Sequence, residues 1–426
     1  MSLCSPNQRL QLVLLVDLGL VGQIGAVSVK ILVLHEIDYL EKVIYEIHEF
    51  PELLAKAGHD VTFYHFQEGA NRAKKNLFRN KEIVGRVVPE AKLTLVGPHQ
   101  FGVFGFDRLW ATVSSWPAMF RLFRENKFDV VLNYAVPTFG LQALTISAIY
   151  KTPFIHRALD SSHEIRESIF RLPILWVEKL MYKFSPLLSA NNSAMQRYCE
   201  NLAGRKKPSV VNYPPLDIAH FSNRVPDPEL RKRLGLAPTD SVITYMGSFF
   251  YFSGLPEVIK RFAELVPQGS STKLLLIGGG EQESELRNIV TDLGISDRVI
   301  FTGFVSYDDL PKYLALSTVA INPLEISQVA SIAFPNKVLQ YLATGIPVVS
   351  TRLEGLFSAI DGIEGLTWAE SPTRVLEIAL EIAQAGGTEA NKSESLKALA
   401  ALFSPEAALA SMEQTLNTAI EINKRN

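Results

Sequence analysis

Residues 335–352 read PNKVLQYLATGIPVVSTR, and this stretch decides the fold. Pro335 suits the first turn of a helix, where a missing N–H costs nothing. Val338, Leu339 and Leu342 then fall on one helical face, and Gly345 fits the left-handed residue that ends a helix. Pro347 blocks continuation, Val348-Val349 opens a short apolar strand, and Thr351-Arg352 returns to solvent. Lys337, Gln340, Tyr341 and Thr344 share another face. The first turn of such a helix offers unpaired N–H groups and the positive end of the dipole, which attract phosphate, and Lys337 adds a full charge. On pattern alone the stretch fits both an ordinary core helix of an α/β domain and an anion-binding helix.

The segment Ala343-Thr344-Gly345-Ile346-Pro347-Val348-Val349 resembles the "A-x-G-x-P-V-V" tail of the donor-binding region in family 4 glycosyltransferases of the GT-B fold. That family carries a Glu-x7-Glu pair on the preceding helix; here the two positions are Ile332 and Gln340. The resemblance implies an α/β protein with two Rossmann-like doubly wound domains facing each other across a cleft. Its expected boundaries are an N-terminal extension at 1–28, an acceptor-side domain at 29–215, a linker at 216–240, a nucleotide-sugar domain at 241–403, and a helix at 404–426 packing back on the first domain.

Bulk properties agree with two domains. A chain of 426 residues is too long for one core, and 47% hydrophobic with 20% charged residues describes a globular protein. A formal charge of −2 gives no basic stripe for nucleic acid. Two cysteines, Cys4 and Cys199, form neither a disulfide framework nor a metal spacing, and a reducing compartment fits them. The apolar run from Leu10 to Val29 is interrupted by Gln11, Asp17 and Gln23, and Asp at a bilayer centre costs about 2.5–3.5 kcal/mol. The first strand of the fold is therefore expected at Val29–Leu34, with a membrane anchor before it as the rival reading.

That strand leads through Glu36-Ile37-Asp38 to a helix expected from about Glu41 to Ala57, ended by Gly58, and a second strand at His59–Tyr64. Family members have a Gly-Gly pair in the first loop; this chain has none. Phe101 to Phe123 interleaves Phe, Trp and Arg, which fits either packing on the sheet or a surface in a lipid interface. Strands follow at Phe128–Asn133 and Thr152–Arg157. The second delivers Asp160, Ser161, Ser162 and His163 to the carboxyl end of the sheet, where α/β folds place ligands. Asp160 and His163 are the catalytic candidates, with helix capping or a turn as the alternative for each. All eight histidines lie at or before His220, so none belongs to the second domain.

The second domain opens with strand Ser241–Met246 and the turn Gly247-Ser248. Where the family has an Arg and a Lys for the donor diphosphate, this chain has Ser248 and Ser253. Lys273–Ile277 enters Gly278-Gly279-Gly280, a turn that fits a phosphate or ribose cradle and a plain tight turn equally well. Phe301-Thr302-Gly303-Phe304-Val305 resembles "F-x-G-x-V", where the family's backbone meets the base, and Glu325 stands near the lost first glutamate. The donor-binding set implied is Gly247, Ser248, Ser253, Gly279, Phe304, Val305, Glu325, Asn336, Lys337 and Gln340.

The function expected is transfer of a sugar from a nucleotide-sugar donor, a UDP- or GDP-sugar, to a saccharide or lipid-linked acceptor. By resemblance the transfer retains configuration. No tightly bound cofactor and no metal site are expected, since no metal-ligand spacing is evident. A cytoplasmic location is expected, with peripheral contact at the inner face of a membrane through the first domain. The replacements at Ile332, Gln340, Ser248 and Ser253 leave two rivals, a non-catalytic homologue acting as partner or nucleotide sensor, and a nucleotide-sugar epimerase.

Overall fold

The computed structural model describes residues 28–41, 44–67, 81–101, 103, 106–164, 170–204, 206–222, 225–386 and 392–425. The expectations for residues 1–27 lie outside them. Two sheets organise the chain. The first has the order β3-β4-β2-β1-β5-β6-β7-β8 and is parallel except where β3 (Lys81–Val84) meets β4 (Lys92–Val96). Its other strands are β1 (Lys30–Leu34), β2 (Asp60–Tyr64), β5 (Val130–Asn133), β6 (Phe154–Ala158), β7 (Leu187–Ala190) and β8 (Ser209–Val211). The second sheet, parallel throughout, runs β11-β10-β9-β12-β13-β14. Its strands are β9 (Ser241–Met246), β10 (Thr272–Ile277), β11 (Val299–Gly303), β12 (Val319–Asn322), β13 (Val348–Thr351) and β14 (Leu366–Ala369).

Parallel strands buried on both faces read as unbroken apolar runs, and β1 and β10 bury Ile31–Leu34 and Leu274–Ile277 completely or nearly so. The strand order reverses beside β1 in one sheet and beside β9 in the other, making two crevices at strand carboxyl ends. Connecting helices run back along the sheets, so their N-termini sit at those same edges.

The helices that build the cleft, in chain order, are α1 (Glu46–Lys56), α2 (Phe106–Glu125), α3 (Gly140–Ile149), α4 (Arg171–Phe184), α5 (Ser193–Ala203), α6 (Asn336–Thr344), α7 (Glu354–Ile360), α8 (Lys392–Phe403) and α9 (Pro405–Arg425). Helix α1 starts later than its apolar pattern implies. The Asp38 carboxylate accepts the Leu40 N–H at 3.1 Å, and this local turn takes the backbone that a longer helix would use. Helix α9 lays Ala408, Met412, Leu416 and Ala419 into the core of the first sheet, against α1.

The carboxyl edges of the two sheets meet. Asn192, just past β7, caps α5 by accepting the Met195 N–H and donates its amide to the Ile332 carbonyl at 2.8 Å. Ser193 bonds Ser358 at 2.8 Å, Arg197 pairs with Glu354 at 3.0 Å, and Tyr251 reaches the Glu164 carbonyl at 3.3 Å. Gly355 completes this contact: a Cβ there would lie 2.9 Å from the Asn192 carboxamide oxygen.

Helix α2 settles the aromatic stretch in part. It buries small residues and the far end, Ala111, Ser114, Ser115, Met119, Leu122 and Phe123, and leaves Leu109, Val113, Trp116 and Phe120 outward. Among the described residues no helix is long and apolar enough to cross a membrane.

Candidate active site between the two sheets

The decisive stretch folds as a helix, a glycine stop and a strand. Pro335 precedes the first turn of α6, Gly345 adopts φ +83° at its end, and β13 follows. Val338, Leu339 and Leu342 are buried, as the periodicity implies. Tyr341, on the second face, is fully buried, and its hydroxyl accepts the Met246 N–H at 2.7 Å. That bond fixes α6 against the end of β9, which aims the residue one turn earlier at the Gly247 turn.

That residue is Lys337. Its ammonium lies 3.9 Å from the centre of the Tyr245 ring, and a Cβ on Gly247 would stand 3.5 Å from Nζ. The side chain is half-buried and has no carboxylate partner among the described residues. Burial pushes the amine down to about 7. An ammonium poised over an aromatic face, beside a helix N-terminus and a glycine turn at the sheet's reversal point, is suited to an anion.

On the side of α6 facing the linker, Asn336 and Gln340 line a pocket of about 130 Å³ with Tyr45, Glu49, Leu216 and Tyr307. Ile332, at the position of the family's first glutamate, is buried among Ala158, Tyr182 and Met195 of the other sheet's helices and strands. It serves the contact between lobes. Glu325 is exposed, held by its N–H to the Phe252 carbonyl at 2.9 Å.

The glycine triplet is a packed turn. A Cβ on Gly278 would meet the Gly247 carbonyl at 2.1 Å, and Gly278 also sits at φ +126°. The Phe249 N–H donates to the Gly279 carbonyl at 2.9 Å, so the triplet is bonded to the 247–249 loop rather than open to a ligand. Gly279 faces the ring of Phe304, itself 67% exposed, with Val305 half-buried beside it. Ser248 is half-buried at the turn and its carbonyl accepts the Tyr245 hydroxyl at 3.0 Å. Ser253 is placed elsewhere: it is fully buried, donates to Gln282 at 3.2 Å and accepts the Leu255 N–H. A hydroxyl committed to both bonds inside the protein is not a donor contact.

On the opposite lobe Asp160 and His163 part company. Asp160 is exposed just past β6; desolvation by its surroundings, then Glu46 and Glu178, push its carboxyl up to about 6, and solvent screens part of that. His163 is buried, with Nδ1 2.6 Å from Glu178 and 3.2 Å from the Ser161 hydroxyl. Glu178 also accepts from Tyr182 and the Ser162 N–H. The network makes His163 a brace for the 160–164 loop. Glu36, in the loop that lacks the glycine pair, accepts the Thr138 N–H at 2.6 Å and its hydroxyl at 2.9 Å, tying β1 to the turn after β5. Among the described residues no three metal-ligating side chains cluster.

Known proteins share this architecture. The sequence profile described as "Glycosyl transferases group 1" matches residues 240–385, and that of "Glycosyltransferase Family 4" matches residues 47–220. The chain belongs to the family 4 glycosyltransferases of the GT-B fold. It is 24% identical over 204 residues to a 2-deoxystreptamine glucosyltransferase of Streptomyces kanamyceticus, covering 48% of this chain and 49% of the relative. A second relative is a GDP-mannose-dependent monoacylated alpha-(1-6)-phosphatidylinositol monomannoside mannosyltransferase of Corynebacterium glutamicum, 24% identical over 255 residues, 58% of this chain and 65% of the relative. The match thus spans less than two thirds of either relative. Among solved structures, Anabaena Alr3699/HepE in complex with UDP-glucose has a TM-score of 0.70 at 19% identity, covering 92% of this chain and 100% of its own. Sucrose-phosphate synthase from Thermosynechococcus elongatus has a TM-score of 0.73 at 15% identity, covering 92% of this chain and 99% of its own.

Proposed function

We propose that this protein transfers a sugar, with retention and without a metal ion, from a UDP- or GDP-sugar to a saccharide or lipid-linked acceptor. The observation that carries the reading is the unpaired Lys337 ammonium beside Gly247 at the N-terminus of α6. Breaking a nucleotide-sugar bond builds negative charge on the departing diphosphate. Lys337 and the first N–H groups of α6 would stabilise that charge, usually the largest single contribution a site makes. Gln340 would hold a ribose hydroxyl as a neutral donor and acceptor, and the exposed Phe304 ring with Val305 would meet the base. Asp160, exposed beyond β6, would take or orient an acceptor proton, with His163 positioning its loop.

Incubation with UDP-, GDP- and dTDP-sugars, read by thermal shift and mass spectrometry, tests this. Stabilisation with release of nucleoside diphosphate supports transfer. Stabilisation with no turnover supports a sensor, the reading that the replacements at Ile332 and Gln340 favour. An interconverted sugar supports an epimerase, and no stabilisation by any of them removes the donor site.

The lipid-linked alternative for the acceptor is supported by a surface of the first lobe. Helices α2, α3 and α4 pack side by side, and outward from them stand Leu109, Val113, Trp116 and Phe120, with Leu172 and Trp176, each 68% exposed. Arg121, Arg124, Arg171, Lys179 and Lys183 are exposed around them. Aromatic rings ringed by cations favour the interface of an anionic bilayer. Vesicles of phosphatidylcholine and phosphatidylglycerol are expected to sediment the protein, and the combined variant Trp116→Ser and Trp176→Ser is expected to stay in the supernatant. A wild-type protein that never sediments ends the membrane reading.

A further inference from the structure

Three glutamates line one side of α1 at helical spacing, and two are committed to the protein. Glu46 pairs with Arg157, while Glu52 accepts the Tyr39 hydroxyl at 2.6 Å and the N–H groups of Arg86, Val87 and Val88. Glu49, between them, is only 8% exposed, lines the pocket beside Asn336 and Gln340, and has no hydrogen-bond or ion-pair partner among the described residues. Nor do the Asn336 and Gln340 amides. A buried carboxyl left without a partner is costly, and with two half-buried amides beside it the pocket is suited to a polar ligand.

We propose that Glu49 binds the ribose hydroxyls of the nucleotide donor, facing Gln340 across the pocket and supplying from the first lobe the carboxyl that α6 lacks. The inference rests on the donor reading above. Burial, then Glu46, Glu52 and Asp217, push the Glu49 carboxyl well above the usual range. Two amides and a carboxyl lining one pocket match a vicinal diol, whose hydroxyls both donate and accept. A ribose held there touches both lobes, so donor occupancy and cleft closure are coupled through Glu49.

Calorimetry on the full chain tests it with UDP, GDP and their 2′,3′-dideoxy analogues. Wild type is expected to bind the better nucleotide about tenfold more tightly than its dideoxy analogue, as one lost hydrogen bond to a polar group implies. Glu49→Ala is expected to cut that preference several-fold, leaving the part Gln340 supplies, while binding the dideoxy form as wild type does, and Glu49→Gln to keep most of it. Should the alanine variant not fold, Glu49→Leu, close in size, gives the same comparison. A variant that folds and keeps the wild-type ratio overturns the role of Glu49 and leaves the donor reading intact. Wild type that binds none of the four overturns both.

Discussion

Lys337→Met is expected to weaken binding of the preferred nucleotide sugar by about ten- to a hundredfold at pH 6, the loss of one charge-assisted contact. The same substitution should flatten the pH dependence of binding. Burial holds the amine at about 7, against an ordinary 10.5. Between those values the unfolded chain holds more protons than the folded one, so the unliganded protein gains stability as pH rises from about 7 towards 10.5. A bound diphosphate favours the charged amine and reverses this. Affinity should therefore be greatest below pH 7 and decline as pH rises through it. Titration calorimetry from pH 6 to 9, with thermal melts of the unliganded protein, checks both signs. Equal affinity in wild type and variant across that range removes Lys337 from the site.

Arg157→Met is expected to destabilise the first lobe by about 3–5 kcal/mol, because it strands a buried carboxylate. Arg157 is 1% exposed and its guanidinium is fully engaged. It meets Glu46 at 2.6 and 3.0 Å, Ser189 at 2.8 Å and the Asn212 carbonyl at 3.0 Å, and stacks on Phe50 at 4.9 Å. The cluster ties β6 and β7 to the first turn of α1 and to the start of the linker. Removing both charges with Glu46→Leu and Arg157→Met should recover most of the loss, since replacing a whole buried pair by apolar groups is often neutral. Urea midpoints of the single and double variants decide it. A double variant no better than the single one would show that Ser189 and Asn212, not Glu46, are what Arg157 holds.

How much of this was legible varies with the range of the forces involved. The α6–β13 unit was readable because a glycine stop, a proline and an apolar period are local signals. The sequence puts Tyr341 on the second face of that helix, but only the fold shows its ring in the core and its hydroxyl on the β9 backbone. Strands β3 and β4 were missed: β3 is an edge strand whose Lys81, Glu82 and Val84 are exposed, so it carries no burial pattern. Ser253 was assigned to the donor from its place before Gly254, but only the fold shows its hydroxyl turned inward to Gln282. Glu49 was missed because spaced glutamates on a helix read as a solvent face. Residues far along the chain, Leu216, Tyr307, Leu339 and Gln340, surround Glu49 and take that face out of solvent.

The chain passes between the lobes twice, and the two passages touch. The Leu216 N–H donates to the Phe403 carbonyl at 2.7 Å, and the Phe403 ring packs between Tyr213 and Phe334, 5.2 and 5.9 Å away. Two crossings bonded to each other act as one tether, so the relative placement of the lobes rests as well on the contacts across the gap, Asn192 with Ile332 and Arg197 with Glu354 among them.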